Sequence, residues 1–411
     1  MLLARRSTLS LFTLLVFALF LVYLHADRVL NINSLEPTVE LKSNKPTRPS
    51  SAPENTQTAT SQKPAHVALQ QESRPQQPWV PSLEKDPFKP GVPKPGGNYS
   101  RILVVPRTHD EDVSWIKAEL PDLDTAIYTM DDWWATLKVP KNKGRESMAY
   151  LTYIIDHYDN LPDVVLFFHA HKVGWHNLLI LGQDTAEMLK RLRSERVWTM
   201  GYFPARCDHK PGCPDWLHLD RPEVDFNEHL RMEEKYYTPE IWRQLHPPGL
   251  GGLGEIHRTP SVLSAPCCAQ FGVSRDRIRA NPKEMYEHYR DWLLNTELED
   301  QYAGRIMEYT WHYIFTRQYQ YCPSPNTCYC EGYGICFGNQ AVYEEYNKLE
   351  ERRWEVWEIL GKPALDMAVE METRQELINL EAVMERMKNE AIERGKSEEA
   401  RRLERERLPL Y

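Results

Sequence analysis

The sequence lacks the short motifs that assign many enzymes to a class. Its 411 residues contain no Gly-x-Ser-x-Gly turn, which argues against the serine nucleophile of an α/β-hydrolase. A P-loop is missing, and the Gly-rich run 249–254 is followed by no helix before Pro260, so a dinucleotide-binding fingerprint is missing as well. Positive charge is not in excess, because 50 Lys and Arg residues stand against 59 Asp and Glu residues and the net charge is −9. Nucleic-acid binding needs a basic surface, so we expect no nucleic-acid partner.

The first residues of the chain have the pattern of a membrane anchor. Residues 7–26 contain no Asp, Glu, Lys or Arg, and about 20 apolar residues span a bilayer. Arg5 and Arg6 precede the run and predict a cytosolic N-terminus. A cleaved signal peptide is the alternative, but Leu24 is bulky where a small residue precedes cleavage. We therefore predict a signal-anchor helix within residues 1–26 and a single-pass type II protein of the Golgi or another secretory compartment.

The next segment, residues 27–98, is rich in Pro, Ser, Thr and Gln and poor in aromatic residues. Such a segment cannot bury enough apolar surface to offset its chain entropy, so it predicts a flexible stem. Asn98 begins a glycosylation sequon at the end of the stem. The eight cysteines form an even number, as expected in an oxidising lumen.

Residues 99–339 alternate strand and helix patterns. The apolar runs 101–105 and 163–168 predict buried strands, and residues between them have apolar positions at helical spacing. This alternation predicts a single Rossmann-like α/β domain with a mainly parallel central sheet. Chemistry in such sheets gathers just past the carboxyl ends of the strands.

Three histidines follow the second of these strands: His169, His171 and His176. Residues two apart in an extended chain point to the same side, so the first two imidazoles can share a divalent metal or contact a phosphate. The alternative is that these are structural histidines bonded to the backbone at a strand end.

A helix predicted over residues 303–315 carries Glu308 on the same face as His312. Its carboxylate could serve as a general base or bind a sugar hydroxyl. The alternative is an ordinary helix carboxylate that pairs with Arg305, three residues earlier on that face.

Several segments of the chain, in this order, resemble an uncharacterised family that is common in fungi. The segments are residues 143–155, 158–163, 167–171, 175–176, 267–275 and 308–315. The resemblance covers roughly residues 101–322 and implies a domain of unknown function, without an activity.

The strand that ends in Phe-Phe-His-x-His is similar, more loosely, to the A-type nucleotide-sugar glycosyltransferases. In those enzymes a strand ends in an Asp-x-Asp pair that holds a divalent metal on the donor diphosphate. The resemblance implies that His169 and His171 replace this pair, with Mn or Zn better suited to imidazole than Mg, and that Glu308 faces a sugar. A site without metal is the alternative, in which side chains contact the diphosphate or the base directly. The candidates for that role are Arg107, His109, Arg145, His171, Lys172, His176 and Arg275.

The cysteines favour disulfides over a zinc site. Cys207 and Cys213 bracket a short loop and predict a local disulfide. Cys267 and Cys268 are predicted to bond elsewhere, because a vicinal bridge strains the backbone. The other four do not have the spacing of zinc ligands, and their connectivity stays open. They are Cys322, Cys328, Cys330 and Cys336.

Residues 340–411 are dense in Glu, Arg, Lys, Leu and Met, which predicts a long helix or coiled coil. This tail could associate with a second copy, dock on the domain or stay solvated. Taken together, the sequence favours a glycosyltransferase that moves a sugar from a nucleotide sugar to a glycan or glycoprotein. The alternatives are a lumenal metal-dependent hydrolase and a non-catalytic sugar-binding or scaffold protein. Both enzyme hypotheses predict a polar pocket beside His169, whereas the scaffold hypothesis predicts none.

Overall fold

The structure is a computed structural model and describes residues 90–221, 234–250 and 259–407. All of them lie in the unit Gln76–Tyr411. The predicted anchor, most of the predicted stem and most of the Gly-rich run lie outside the described residues. Within the described part of the chain, no helix is both long and apolar enough to cross a membrane.

One five-stranded sheet organises the fold, with the strand order β2-β1-β3-β5-β4. β1 pairs in parallel with β2 on one side and with β3 on the other, so the predicted α/β architecture with a parallel centre is confirmed. β5 is antiparallel to both β3 and β4, which the sequence did not predict. The strands are β1 (Arg101–Arg107), β2 (Asp124–Thr129), β3 (Val164–Phe167), β4 (Tyr202–Pro204) and β5 (Phe271–Ser274).

The central strands of this sheet are buried on both faces because their side chains alternate between two apolar clusters. Leu103 and Val105 of β1 enter one cluster, and Val104 enters the other. In β3, Val165 and Phe167 pack on the same side as Val104. This pattern explains why both predicted strands appear in the sequence as continuous apolar runs.

Helices cover both faces of the sheet. The first group packs around the sheet and consists of α1 (Ser114–Glu119), α2 (Glu146–His157), α3 (Thr185–Arg191), α4 (Ser194–Met200), α5 (Pro239–Leu245), α6 (Arg275–Arg279), α7 (Lys283–Asn295), α8 (Asp300–Glu308) and α9 (Trp311–Thr316). The second group forms the tail and consists of α10 (Gln340–Leu360), α11 (Met367–Gly395) and α12 (Glu398–Arg407). Short 3₁₀ turns cover Pro95–Gly97, Tyr158–Asn160, Leu179–Leu181 and Glu234–Tyr236, and Pro325–Thr327 leads into a π-helical turn at Cys328–Gly332.

The single helix predicted over residues 303–315 is wrong, because the chain forms α8 and α9 with a break at Tyr309 and Thr310. The Thr310 hydroxyl donates a hydrogen bond to the Ile306 carbonyl at 2.7 Å, which competes with helical pairing at that turn. The break separates Glu308 from His312, so the expected shared face does not form. His312 instead lies buried with its Nε2 atom 3.1 Å from the Tyr319 carbonyl.

The tail packs against the domain through its second helix. Ala391 and Met384 of α11 are buried in the apolar cluster that also contains Phe337 and Tyr343. The Cys336 amide donates a hydrogen bond to the Ala391 carbonyl at 2.9 Å. The tail therefore docks on the domain, which is one of the arrangements that the sequence left open. Its described residues form three helices instead of the single long helix predicted.

The end of the predicted stem also packs against the domain. The Gly91 amide donates to the Thr199 carbonyl at 2.9 Å, and the Trp198 indole donates to the Val92 carbonyl at 2.8 Å. The folded unit therefore begins before Tyr99, where the sequence placed its boundary. Asn98 is exposed, so its side chain is accessible for the predicted glycosylation.

All eight cysteines form disulfides, which confirms that preference over zinc. The predicted local bridge is wrong, because Cys207 bonds to Cys328 and Cys213 to Cys322, across separations of 121 and 109 residues. These two bridges tie the 207–213 loop to the segment after α9. The remaining pairs are Cys330–Cys336 and the vicinal pair Cys267–Cys268.

Candidate active site at the carboxyl ends of β1 and β3

A cavity of about 650 Å³ opens where β1 and β3 end. The chain leaves β1 toward β2 on one side and β3 lies on the other, so this is the point where the strand order reverses. Ligands of open α/β sheets bind at such points. We call the residues that follow β1 and β3 the strand wall: Arg107, Thr108, Glu111, His169, His171 and His176. We call a second set of lining residues, from the start of α2, the end of α8 and the turn at Cys268, the helix wall: Arg145, Glu146, Cys268, Arg305 and Glu308.

The three histidines of the strand wall form one cluster. The ring centroids of His169 and His176 lie 4.6 Å apart, and those of His171 and His176 lie 6.2 Å apart. Burial, together with the neighbouring imidazoles, holds the pKa of His169 well below its usual range and lowers the pKa of His176 to about 4. Both rings are therefore neutral near pH 7. Their buried Nε2 atoms have no hydrogen-bond partner among the described residues, so both can accept or donate a bond to a ligand.

His171 differs from the other two because its side chain is exposed and contacts a carboxylate. Its Nε2 atom lies 3.2 Å from a carboxylate oxygen of Glu111. The other Glu111 oxygen accepts hydrogen bonds from the amide and hydroxyl of Thr108, at 2.6 and 3.0 Å. Glu111 thereby joins the loop after β1 to the loop after β3 and fixes the mouth of the cavity.

Glu146, the first residue of α2, is the titrating carboxyl of the helix wall. Burial, reinforced by the neighbouring Glu308 carboxylate, raises its pKa to about 7. A carboxyl group with a pKa near the working pH can accept and release a proton during a reaction. A raised carboxyl pKa in a cavity is also a physical marker of a functional site.

Arg145 precedes α2 in a conformation that few side chains adopt, with φ at 49°. Asp300 holds this turn by accepting hydrogen bonds from the amides of Gly144 and Arg145, at 2.7 and 3.3 Å. The aliphatic stem of Arg145 lies against Gly304, where an added Cβ would come within 2.9 Å of it. Strained backbone of this kind persists where the surroundings over-determine it, and it clusters at functional sites.

Glu308 ends α8 and has both carboxylate oxygens engaged. One accepts a hydrogen bond from the Cys268 amide at 2.6 Å, and the other accepts one from Arg305 at 2.8 Å. The ion pair with Arg305, which the sequence offered as the alternative to a role in the site, is therefore observed. The pair nevertheless lines the cavity. Glu308 is held as a fixed acceptor of hydrogen bonds.

The prediction that Cys267 and Cys268 bond elsewhere is wrong, because they bond to each other beside this carboxylate. The backbone accommodates the small ring by taking positive φ values at Cys268 and Ala269, of 89° and 49°. The bridge forms despite the backbone strain that it imposes. Here the strained turn aims the Cys268 amide at Glu308.

His169 and His176 supply two imidazole donors of the kind that suit a divalent metal. Among the described residues, two groups of at least three His, Cys, Asp or Glu side chains have ligand atoms within 4.8 Å of one another. Each contains two disulfide-bonded cysteines, which offer no thiolate. The histidine cluster is not one of these groups, and the metal predicted on the pair His169 and His171 stays a prediction.

Three of the candidate residues lie outside the cavity lining. Lys172 forms ion pairs with Glu119 and Asp184, the latter at 3.7 Å. Arg275 lies 3.4 Å from Asp163 at the opposite end of β3. His109 is exposed and accepts a hydrogen bond at its carbonyl from Arg107. The other candidates are brought together, namely Arg107, Arg145, His169, His171, His176 and Glu308.

Three groups that line this cavity were not predicted from the sequence: Glu111, Glu146 and the Cys268 amide. Glu146 begins a helix beside Gly144, so its place in the first turn was visible but its burial was not. Glu111 follows the first strand closely enough to have been considered with Arg107. The role of Cys268 depends on a contact across 40 residues of chain and had no local marker.

A family model described as a protein of unknown function (DUF3431) matches residues 103–331, more than half of the chain. The chain therefore belongs to the DUF3431 family, which confirms the first resemblance. No curated protein and no solved structure matches the chain. The looser resemblance to A-type glycosyltransferases stays a prediction.

Proposed function

We propose that this member of the DUF3431 family is a glycosyltransferase that moves a sugar from a nucleotide sugar to a glycan or glycoprotein. We place it in the Golgi or another secretory compartment, anchored by residues 1–26. One observation supports the proposal most. A single cavity at the switch point of the sheet joins an imidazole-rich strand wall to a helix wall that carries a carboxyl with a pKa of about 7.

The strand wall suits the donor diphosphate. Arg145 provides a guanidinium group that can form paired hydrogen bonds to phosphate oxygens, and Arg107, whose Nε and Nη2 donate to the carbonyls of Thr108 and His109, adds a positive charge to the lining. His169 and His176 have unpartnered Nε2 atoms deep in the cavity, where a neutral imidazole can donate one hydrogen bond. These groups stabilise the negative charge that develops on the diphosphate as it leaves.

The helix wall suits the acceptor. In the transfer, the bond from the anomeric carbon to the phosphate oxygen breaks and a bond from the acceptor oxygen to that carbon forms. Glu146 takes the proton of the acceptor hydroxyl, for which a pKa of about 7 is well matched. Glu308, fixed by Arg305 and the Cys268 amide, accepts hydrogen bonds from sugar hydroxyls and orients the reacting ring. We assign no step to a divalent metal; His169 and His171 are the residues that would hold one on the diphosphate.

A thermal-shift screen tests the donor half of the proposal. The full chain, its His169→Ala/His171→Ala variant and a His109→Ala control are each heated with a panel of nucleoside diphosphates and nucleotide sugars, with and without Mn²⁺. One nucleotide at about 100 times its dissociation constant should stabilise the wild type and the control by about 2.7 kcal/mol. The double variant should lose that stabilisation, since it lacks two groups of the strand wall.

The other outcomes of this screen separate the remaining functions. Stabilisation by Mn²⁺ or Zn²⁺ alone, with no nucleotide effect, would replace the transferase with a metal-dependent hydrolase. Equal nucleotide stabilisation in the wild type and the double variant would place the nucleotide outside this cavity. No stabilisation by any nucleotide contradicts the proposal and favours a sugar-binding protein without catalysis.

A further inference from the structure

A second cavity, of about 430 Å³, lies beside the candidate active site. It runs between the domain and α10 of the tail, and we call it the aromatic groove. Trp175, from the loop after β3, lines both cavities and is their common wall. The other rings that line the groove are Tyr329, Phe337, Tyr343, Tyr346 and Trp354.

Two of these rings are large apolar groups left in contact with solvent. Trp175 is 60% exposed and Trp354 is 53% exposed, whereas Phe337 and Tyr343 are buried. The Arg206 guanidinium lies 5.8 Å from the Trp175 ring and donates a hydrogen bond to the Trp175 carbonyl at 2.9 Å, so this indole is held in place. Exposed aromatic rings on the rim of a cavity indicate a surface that covers a ligand.

Polar groups separate the rings, so the groove is not a plain apolar surface. Asn347 lies between Tyr343 and Trp354 along α10, and Asp208 accepts a hydrogen bond from the Tyr329 hydroxyl at 2.7 Å. A sugar ring has an apolar face of C–H groups and a rim of hydroxyls. The C–H face packs on the negative face of an aromatic ring, and the hydroxyls bond to amide and carboxylate groups between the rings.

The charges of the groove favour a neutral ligand. Two cationic side chains, Arg206 and Lys210, line it together with three carboxylates, Asp208, Glu350 and Glu351. Glu350 is paired with Arg353, and Arg206 is committed to backbone carbonyls of the loops beside it. Such a surface offers no cationic excess for sulfate, phosphate or carboxylate groups on a glycan.

We propose that the aromatic groove binds a neutral oligosaccharide and guides its end past Trp175 into the candidate active site. Binding in the groove needs only the groove itself. The role of that oligosaccharide as acceptor rests on the proposed function, since Glu146 lies in the cavity on the other side of Trp175.

The test measures glycan binding by the full chain, purified in a detergent without a sugar headgroup, because a glycoside detergent would compete. A glycan array that carries neutral, sialylated and sulfated oligosaccharides identifies the ligand. Calorimetry then gives its dissociation constant for the wild type, Trp354→Ala and Trp357→Ala. Trp357 is the matched control, because it lies one turn later on α10, is 52% exposed and does not line the groove.

We expect the array to show neutral oligosaccharides, and Trp354→Ala to bind the best of them about tenfold more weakly, the loss of one aromatic contact. Trp357→Ala should bind within twofold of the wild type, and Trp354→Phe should recover most of the affinity by restoring a ring. The proposal is overturned by equal affinities of Trp354→Ala and Trp357→Ala, by preference for anionic glycans, or by the absence of any bound glycan.

The same variants separate this proposal from the transferase. Trp354→Ala should keep the full nucleotide-induced thermal shift, because Trp354 does not line the candidate active site. If glycan binding depends on Trp354 but no nucleotide has an effect, the groove proposal stands and the transferase proposal is wrong. A nucleotide effect without Trp354-dependent glycan binding would do the reverse.

Discussion

The two walls of the candidate active site are built from different kinds of chain. The strand wall consists of two loops that directly follow buried parallel strands, so the sheet brings their residues together. The helix wall consists of the start of α2, the end of α8 and a strained turn before β5. Its residues meet only through contacts between distant segments. The strand wall is therefore a product of topology, and the helix wall is a product of packing.

The walls also differ in their protonation chemistry. In the strand wall, burial keeps His169 and His176 neutral near pH 7 by lowering each pKa. In the helix wall, burial raises the pKa of Glu146 to about 7. The same cause, desolvation of the charged form, gives one wall neutral hydrogen-bonding rings and the other a proton acceptor. When the pKa values of titratable groups in one cavity are shifted in opposite directions, the shifts indicate which group acts as acid and which as base.

Glu146→Gln should produce the largest effect, since it removes the proposed base from the helix wall. We expect the transfer rate to fall by about 10²- to 10⁴-fold, the usual contribution of general base catalysis. In the wild type the rate should rise with pH through about 7, as Glu146 loses its proton, and the variant should lack that rise. Steady-state kinetics with the nucleotide sugar found in the thermal-shift screen, between pH 5 and pH 9, measures both effects.

Asp156→Asn is the control for this substitution, because Asp156 is an exposed carboxylate on the same helix. Its rate and pH profile should match the wild type. If Glu146→Gln keeps the wild-type rate, or keeps the rise near pH 7, another group is the base and the division of roles between the walls is wrong.

The strand wall could be predicted from the sequence to a larger extent than the helix wall. The apolar runs 101–105 and 163–168 identify β1 and β3, and topology then places Arg107, His169 and His171 at one end of the sheet. Arg275 was misplaced because a residue after an antiparallel strand points to the opposite end, and the reversal of β5 is not visible in its four residues. The helix wall depends on a break at Thr310 and on a vicinal bridge whose strained turn aims the Cys268 amide at Glu308. Neither outcome follows from the local sequence alone.

The acid sensitivity of the strand wall gives the next largest effect. The pKa of His176 is lowered to about 4 in the folded chain, so between pH 6.5 and pH 4 the unfolded chain binds the extra proton and the folded state loses stability as the pH falls. The full loss is on the order of 3 kcal/mol, at about 1.4 kcal/mol for each pKa unit. His176→Gln removes this contribution. Urea denaturation at pH 7.5 and pH 4.5 should therefore show a smaller drop for His176→Gln than for the wild type.

The matched control is His109→Gln, because His109 is exposed and lies outside the cavity lining. Its drop between the two pH values should equal that of the wild type. An unchanged drop in His176→Gln would mean that the buried imidazole is protonated without cost and that the strand wall is not a neutral surface.

The smallest effect is expected from loss of the vicinal disulfide, because its effect on the reaction passes through the hydrogen bond from the Cys268 amide to Glu308. In Cys267→Ser/Cys268→Ser the backbone can leave its positive φ values, so the Cys268 amide no longer points at the carboxylate. A hydrogen bond to a charged group contributes about 1.5 kcal/mol or more, so we expect about a tenfold lower rate.

Cys330→Ser/Cys336→Ser, which removes a short-range bridge outside the cavity lining, controls for lost stability and should keep the rate of its folded fraction. A wild-type rate of the folded fraction in Cys267→Ser/Cys268→Ser, after correction for unfolded protein, would show that the strained turn serves folding alone. The helix wall would then orient Glu308 through Arg305 without help from the disulfide, and the strain at Cys268 would have no part in the reaction.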